Sequence, residues 1–465
     1  MSRAAVFVFL LLTAGCGSRG VPSRTPWVYR LRVPSDPRTL ELEAELPAGV
    51  SRELSVAAGA EDFVESLVLM MDGDEVLPLK RNEDSWWIPA SEDGPFRLRW
   101  RFDLAGAAAA LRRPRTAQRV GDAFLAPPST WLVRPLRVRR GIPVILHVES
   151  EGDSDFATGI RRGDFDDEYV FDGTEFAGST YTVLGHFEKH TVRVGGADID
   201  VALLATPVAI DGLELAQWVE EAATMVANYF GGEFPVAHSL VAVTRRGRGA
   251  HYATALGRGG AGILWPISRR RRMRDVRKGW VLVHEMVHFI FPQVAERHHW
   301  IEEGLASYLE PWVRYQAGVI DLATVFTDLR RGLPMGQPKE GDRGLDHTPT
   351  WGRTYWGGAL FCFVADLEIR RRTRGRKNLA LAVRGIHEKL GGFDVSQPLP
   401  RVFAVGDESV GVDVLLPLYE AWKDDAVKVD LEAIWRSLGV RHGNSQLIFD
   451  PNAPEAWLLD TFRRP

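Results

Sequence analysis

Along residues 27–206 apolar and polar positions alternate in short runs, broken by Gly, Pro and Asp. Tyr29-Arg30-Leu31-Arg32-Val33, Leu40-Glu41-Leu42-Glu43-Ala44, Phe96-Arg97-Leu98-Arg99-Trp100 and Ile142-Pro143-Val144-Ile145-Leu146 are examples. A period of two puts the apolar side chains on one face of a strand, and frequent turn residues keep strands short. The pattern predicts an N-terminal β-sandwich. At about Asp211 the period lengthens. Residues 213–230 carry apolar side chains at helical spacing and end at Gly231-Gly232, a helix stop. Strands are predicted at 240–244 and 263–265. Helices follow over the Val281 region, over 312–333 after Pro311, and from Tyr355 to about residue 372. The rest, through Trp422, Ile434 and Trp457, reads as helical with Gly and Pro interruptions, and no internal repeat is present.

A chain of 465 residues is long enough for two or three domains with full cores. The expected class is α+β and multidomain, with a β-rich region over 28–206, a mixed domain over 207–385 and a helical region over 386–465. The net charge of −4 argues against a general nucleic-acid binder, so no nucleic-acid partner is expected. Two cysteines are too few for a disulfide framework. Cys362 sits in the apolar run Leu360-Phe361-Cys362-Phe363-Val364 and is expected to pack in the core.

The other cysteine follows a targeting pattern. Arg3 is basic, residues 4–12 are apolar, and Thr13-Ala14-Gly15 are small residues ahead of Cys16. The apolar run falls well short of the ~20 residues a membrane-spanning helix requires. Residues 1–16 resemble a bacterial lipoprotein signal, and 17–27, rich in Gly, Ser, Arg and Pro, read as a tether. The resemblance implies a lipid on Cys16 that anchors the chain in the cell envelope. Gly17, standing where an aspartate commonly retains such proteins in the inner membrane, favours the outer membrane.

The chemistry concentrates in residues 281–310. His284-Glu285-Met286-Val287-His288 is an HExxH pattern, and residues four apart share a helix face, so both imidazoles can reach one cation. Glu285 is then placed to take a proton from water as a general base. A hydrolytic zinc site needs a third protein ligand and one open position. Glu303, within Trp300-Ile301-Glu302-Glu303-Gly304, supplies that ligand if the chain folds back after Pro292, which interrupts the first helix. One Zn2+ is the expected cofactor.

With these residues in place, the chain resembles gluzincin metallopeptidases of the aminopeptidase N and glycyl-aminopeptidase kind. The likeness is carried by HExxH, by Trp300-Ile301-Glu302-Glu303-Gly304-Leu305-Ala306-Ser307-Tyr308, and by YWGGALFCFVADLEIRRRTRG from Tyr355. It implies a thermolysin-like α/β domain over 207–385. By the same resemblance His284, His288 and Glu303 are the zinc ligands, and Glu285 is the base. Tyr355 takes the place of the tyrosine that hydrogen-bonds the tetrahedral intermediate. Gly247-Arg248-Gly249-Ala250-His251 matches the family's substrate strand, so Gly249 and His251 are the expected substrate contacts. Two positions depart from the pattern. Gly357 stands where the family has lysine, and Ala250 where it has the glutamate that holds a free amine.

The residues leave three readings open. The first is a membrane-anchored zinc metallopeptidase with peptide or protein substrates. The others are a non-catalytic, zinc-holding lipoprotein that binds peptides, and a zinc hydrolase of a non-peptide bond. Glu285 favours catalysis, because a pure binder needs no general base.

Overall fold

Strands Trp27–Val33, Thr39–Leu46 and Phe96–Asp103 bury one face and expose the other, as their alternation dictates. In the computed structural model they lie side by side in a seven-stranded sheet. Its order is Glu168–Asp172, Pro143–Ser150, Trp27–Val33, Thr39–Leu46, Phe96–Asp103, Val64–Met70, Val76–Pro78. The structure describes residues 25–463 apart from 72–74, 93, 179, 205–209, 247–251 and 443–446. Two four-stranded sheets complete this β-rich region. Its core gathers Trp27, Tyr29, Trp100, Phe102, Trp131 and Phe176. Several of their polar atoms are satisfied inside: the Tyr29 hydroxyl donates to the Val133 carbonyl at 3.1 Å, and the Trp100 indole to that of Trp131 at 3.0 Å.

A five-stranded sheet follows, ordered Glu188–Val194, Ala197–Leu203, His238–Arg246, Gly262–Ser268, Thr254–Leu256. Its three inner strands are parallel, and the two outer ones pair antiparallel. The expected boundary at 206/207 therefore moves back. Residues 188–203 belong to this second sheet, and their period of two is the same whichever sheet they join. Helix Gly212–Tyr229, capped by Asp211 accepting the Glu214 amide, packs on it.

The helix expected at 312–333 divides differently. Pro311 lies inside His299–Gln316, and a new helix, Leu322–Gly332, starts after a turn at Gly318. Proline in a helix interior forgoes one hydrogen bond; burial of Leu309, Trp312 and Val313 around it holds the helix together. The expected boundary at 385/386 falls inside helix Leu379–Leu390. One continuous core runs from Val194 to Phe462, so the C-terminal helices and the sheet form a single packed body. Cys362 is buried in it, as expected. Among the described residues no helix is long and apolar enough to cross a membrane.

Candidate active site

The HExxH segment is a short helix, Val281–Val287, continued by a 3-10 turn His288–Ile290. Leu282, Val283, Met286 and Val287 are buried, which turns the opposite face, with His284 and His288, toward Glu303. The segment stops at Phe291, extended because Pro292 follows. The chain then folds back through residues 292–298 into helix His299–Gln316. The fold-back expected between the two halves of the motif is present.

Its result is convergence. Glu303 Oε2 lies 3.4 Å from His284 Nε2 and 3.7 Å from His288 Nε2. The ligating atoms of all three residues lie within 4.8 Å of one another, and both histidines are buried. In the neutral tautomers that present their lone pairs, both imidazole nitrogens and the carboxylate oxygen can bind one divalent cation. Two nitrogens and one oxygen are a donor set suited to zinc, so the residues fit the metal. Burial pushes His288 down to about 4, which favours the neutral, metal-binding form. Burial opposes ionisation of Glu303, but the charge of His288, with His284 and His299 close by, holds its carboxyl well below the usual range.

Glu285 also reaches the sheet. Its Oε2 accepts the Ala255 amide at 2.7 Å, from the edge strand Thr254–Leu256. Burial pushes Glu285 up to about 7, against the opposing pull of the His284 charge. Tyr355 lies in a π-helical turn, Gly352–Gly357, that leads into helix Gly358–Thr373. Such turns recur at functional sites. Burial, then the charges of Glu303 and Glu285, pushes its hydroxyl up. Cys16, Gly249, Ala250 and His251 lie outside the described residues.

Gly304 explains how Tyr355 and Glu303 come together. A Cβ at Gly304 would sit 2.2 Å from the Gly358 carbonyl carbon, and one at Gly358 2.0 Å from the Trp300 oxygen. The two helices cross backbone to backbone at this pair of glycines. A buried network clamps the crossing further along. The Tyr308 hydroxyl donates to Asp366 at 2.7 Å, and Asp366 also accepts the Leu379 amide and pairs with Arg370. At Gly357, where the resemblance leads one to expect lysine, the neighbours include Leu345 and the guanidinium of Arg353, which pairs with Asp342 at 2.8 Å.

Sequence reasoning passed over several contributors. Glu310, buried and paired with Arg314 at 3.0 Å, acts on the His284 charge from further along the Glu303 helix. Trp280 packs edge-on against His284 at 5.2 Å, and Phe393 lies 6.1 Å from His288. His299 contacts Glu302 and Glu303 together. Helical spacing to Glu303 was the available signal for His299 and Glu310, whereas Phe393 comes from a segment far along the chain with none.

No family model and no curated protein matches the sequence. Solved structures do match. An aminopeptidase N family protein from Idiomarina loihiensis superposes with TM-score 0.65 at 16% identity, covering 89% of this chain and 78% of the other. An M1 zinc metallopeptidase variant from Deinococcus radiodurans, bound to a Tyr-Ser-Ala substrate, gives TM-score 0.53 at 13% identity, covering 87% and 94%. Aminopeptidase A of Legionella pneumophila gives TM-score 0.53 at 12% identity, with 86% of this chain on 49% of that one. The chain has the fold of the M1 zinc metallopeptidases.

Proposed function

We propose that this protein is a zinc-dependent metallopeptidase that hydrolyses peptide bonds and is held in the bacterial cell envelope, at the outer membrane, by a lipid on Cys16. The observation that carries the catalytic part is the convergence of His284, His288 and Glu303, with Glu285 beside them. His284, His288 and Glu303 would hold one Zn2+. When bound there, zinc supplies Lewis-acid polarisation of the scissile carbonyl and acidifies water toward a pKa of about 7.

The chain's own residues do the rest. Glu285, fixed by the Ala255 amide, accepts the proton of the attacking water and returns it to the leaving amine. Tyr355 keeps its proton and donates it in a hydrogen bond to the oxyanion as charge develops. The edge strand Thr254–Leu256 is paired to Gly262–Ser268 on one side. In this reading Gly249 and His251, which precede it in the chain, contact the substrate.

Cleavage of a mixed peptide library tests the activity. The expected outcome is hydrolysis that a chelator abolishes and added zinc restores; a zinc-loaded protein that leaves the library intact refutes the peptidase reading. Anchoring is tested separately with Cys16→Ser, which should move the protein from the membrane fraction to the soluble fraction.

A further inference from the structure

His299 opens the helix that carries Glu303, one turn before it. At this spacing the ring and the carboxylate share a helix face. Both ring nitrogens are engaged: Nδ1 lies 3.0 Å from Glu302 Oε2, and Nε2 lies 3.3 Å from Glu303 Oε1. The remaining Glu302 oxygen accepts the Val294 amide at 3.1 Å. The remaining Glu303 oxygen, Oε2, is the one beside His284 and His288. Each oxygen of Glu303 therefore has its own task, one toward the imidazole pair and one toward His299. His299 itself stands outside the three-residue donor cluster.

We infer that His299 is a positioning residue that fixes Glu303 as a single-oxygen ligand. Glu302 and the Val294 backbone in turn fix His299. The inference rests on the zinc reading above and deepens it. A free glutamate can swing both oxygens toward a cation or turn away from it. With Oε1 held 3.3 Å from His299 Nε2, the carboxylate plane is set before metal arrives, and less side-chain freedom is lost on binding. The chain of contacts also ties the two halves of the site together. It starts at Val294, just beyond the HExxH segment, and passes through Glu302 and His299 to the ligand on the second helix. Glu302, a non-ligand neighbour of Glu303, thereby acquires a role.

The test compares zinc affinity in the wild type, His299→Phe, His299→Gln and His299→Asn. Each full-length protein competes for zinc against a chromophoric chelator, and its cobalt form is followed by visible absorption. Phenylalanine keeps the ring and removes both donors, so zinc should bind about 10–100-fold more weakly and the cobalt spectrum should change. The melting temperature of the zinc-free protein should stay at the wild-type value. Glutamine places an amide donor near the Nε2 position and should restore most of the affinity. Asparagine reaches only toward Glu302 and should not. If phenylalanine perturbs folding, the glutamine–asparagine contrast decides the matter, and equal affinities there overturn the inference. A phenylalanine variant with wild-type affinity and spectrum overturns it too. A wild type that takes up no zinc refutes the zinc reading itself.

Discussion

Among the described residues, two buried histidine–carboxylate clusters invite comparison, His238–Asp200 and the group around Glu303, and only the second brings three metal-ligating side chains together. At the seam between the β-rich region and the five-stranded sheet, His238 lies against Asp200 at 3.2 Å, both fully buried. There both ring nitrogens and the carboxylate have complementary partners. His238 Nδ1 faces the Ile160 carbonyl at 2.6 Å, and Asp200 accepts from Arg162 at 3.1 Å and Thr191 at 2.7 Å. Around Glu303 the set is open, since His284 hydrogen-bonds the carboxylate oxygen at 3.4 Å while the His288 nitrogen, 3.7 Å from the same oxygen, lies beyond hydrogen-bond reach. Burial and residue type are common to both clusters. What separates a structural cluster from a coordinating one is whether its hydrogen bonds already close.

That contrast breaks first at Glu285. Glu285→Gln should leave zinc stoichiometric and lower turnover by on the order of 10⁴-fold, about 5 kcal/mol of barrier. Single-turnover kinetics on zinc-loaded protein measures it, and wild-type turnover removes the residue from the mechanism. His238→Ala should do the opposite, costing about 1–3 kcal/mol of stability by removing one of the three partners of buried Asp200 while the folded protein still binds zinc. Denaturant unfolding with zinc analysis separates the two effects. The same cluster gives a pH signature. Burial pushes Asp200 up, but His238, Thr191 and Arg162 outweigh it and hold the carboxyl below its usual value. Its stabilisation is therefore complete above the unfolded value of about 4 and fades as pH falls through the folded one.

Tyr355→Phe removes one donor and keeps the ring. Turnover should fall about 10²–10³-fold, with zinc content unchanged. Unchanged kinetics would leave Tyr355 as an aromatic packed on Trp351, 5.9 Å away. Gly358→Ala probes the helix crossing that brings Tyr355 to Glu303. Its new methyl meets the Trp300 carbonyl, and overpacking of this kind costs about 1–3 kcal/mol. Thermal unfolding reads the loss, and wild-type stability would mean that the helices part without strain.

Much of this was legible in the chain. His284, His288 and Glu303 could be read because helical spacing, a proline stop and an acid at the next helix start are local signals. The alternation of residues 27–46 likewise declares a strand pair directly. Sheet membership could not be read, because Glu188–Leu203 has the same period of two in either sheet and only its pairing with His238–Arg246 decides. Nor could the course of the helix through Pro311, where buried neighbours override the local penalty. Asp366, Arg353 and Phe393 reach their partners across long sequence separations, and no spacing rule announces such contacts.

The weakest expected effect lies on the exposed face of the seven-stranded sheet, where charges are denser than at the metal site. Glu41, Glu43 and Glu45 face Arg101, Arg99 and Arg97 on one side, and Arg32 and Arg30 lie opposite Glu41 and Glu43 on the other. Arg30 and Glu45 form an ion pair at 2.8 Å with about half of each side chain exposed, 49% and 50%. In that setting water competes for both groups and salt screens them, so the pair should contribute under about 1 kcal/mol. A double-mutant cycle of Arg30→Ala and Glu45→Ala measures the coupling, with zinc affinity expected to be untouched in all three variants. A coupling of several kcal/mol would mean that the exposed ladder acts as one cooperative network, and that open hydrogen bonds are not what distinguishes the metal site from the rest of the protein's charge.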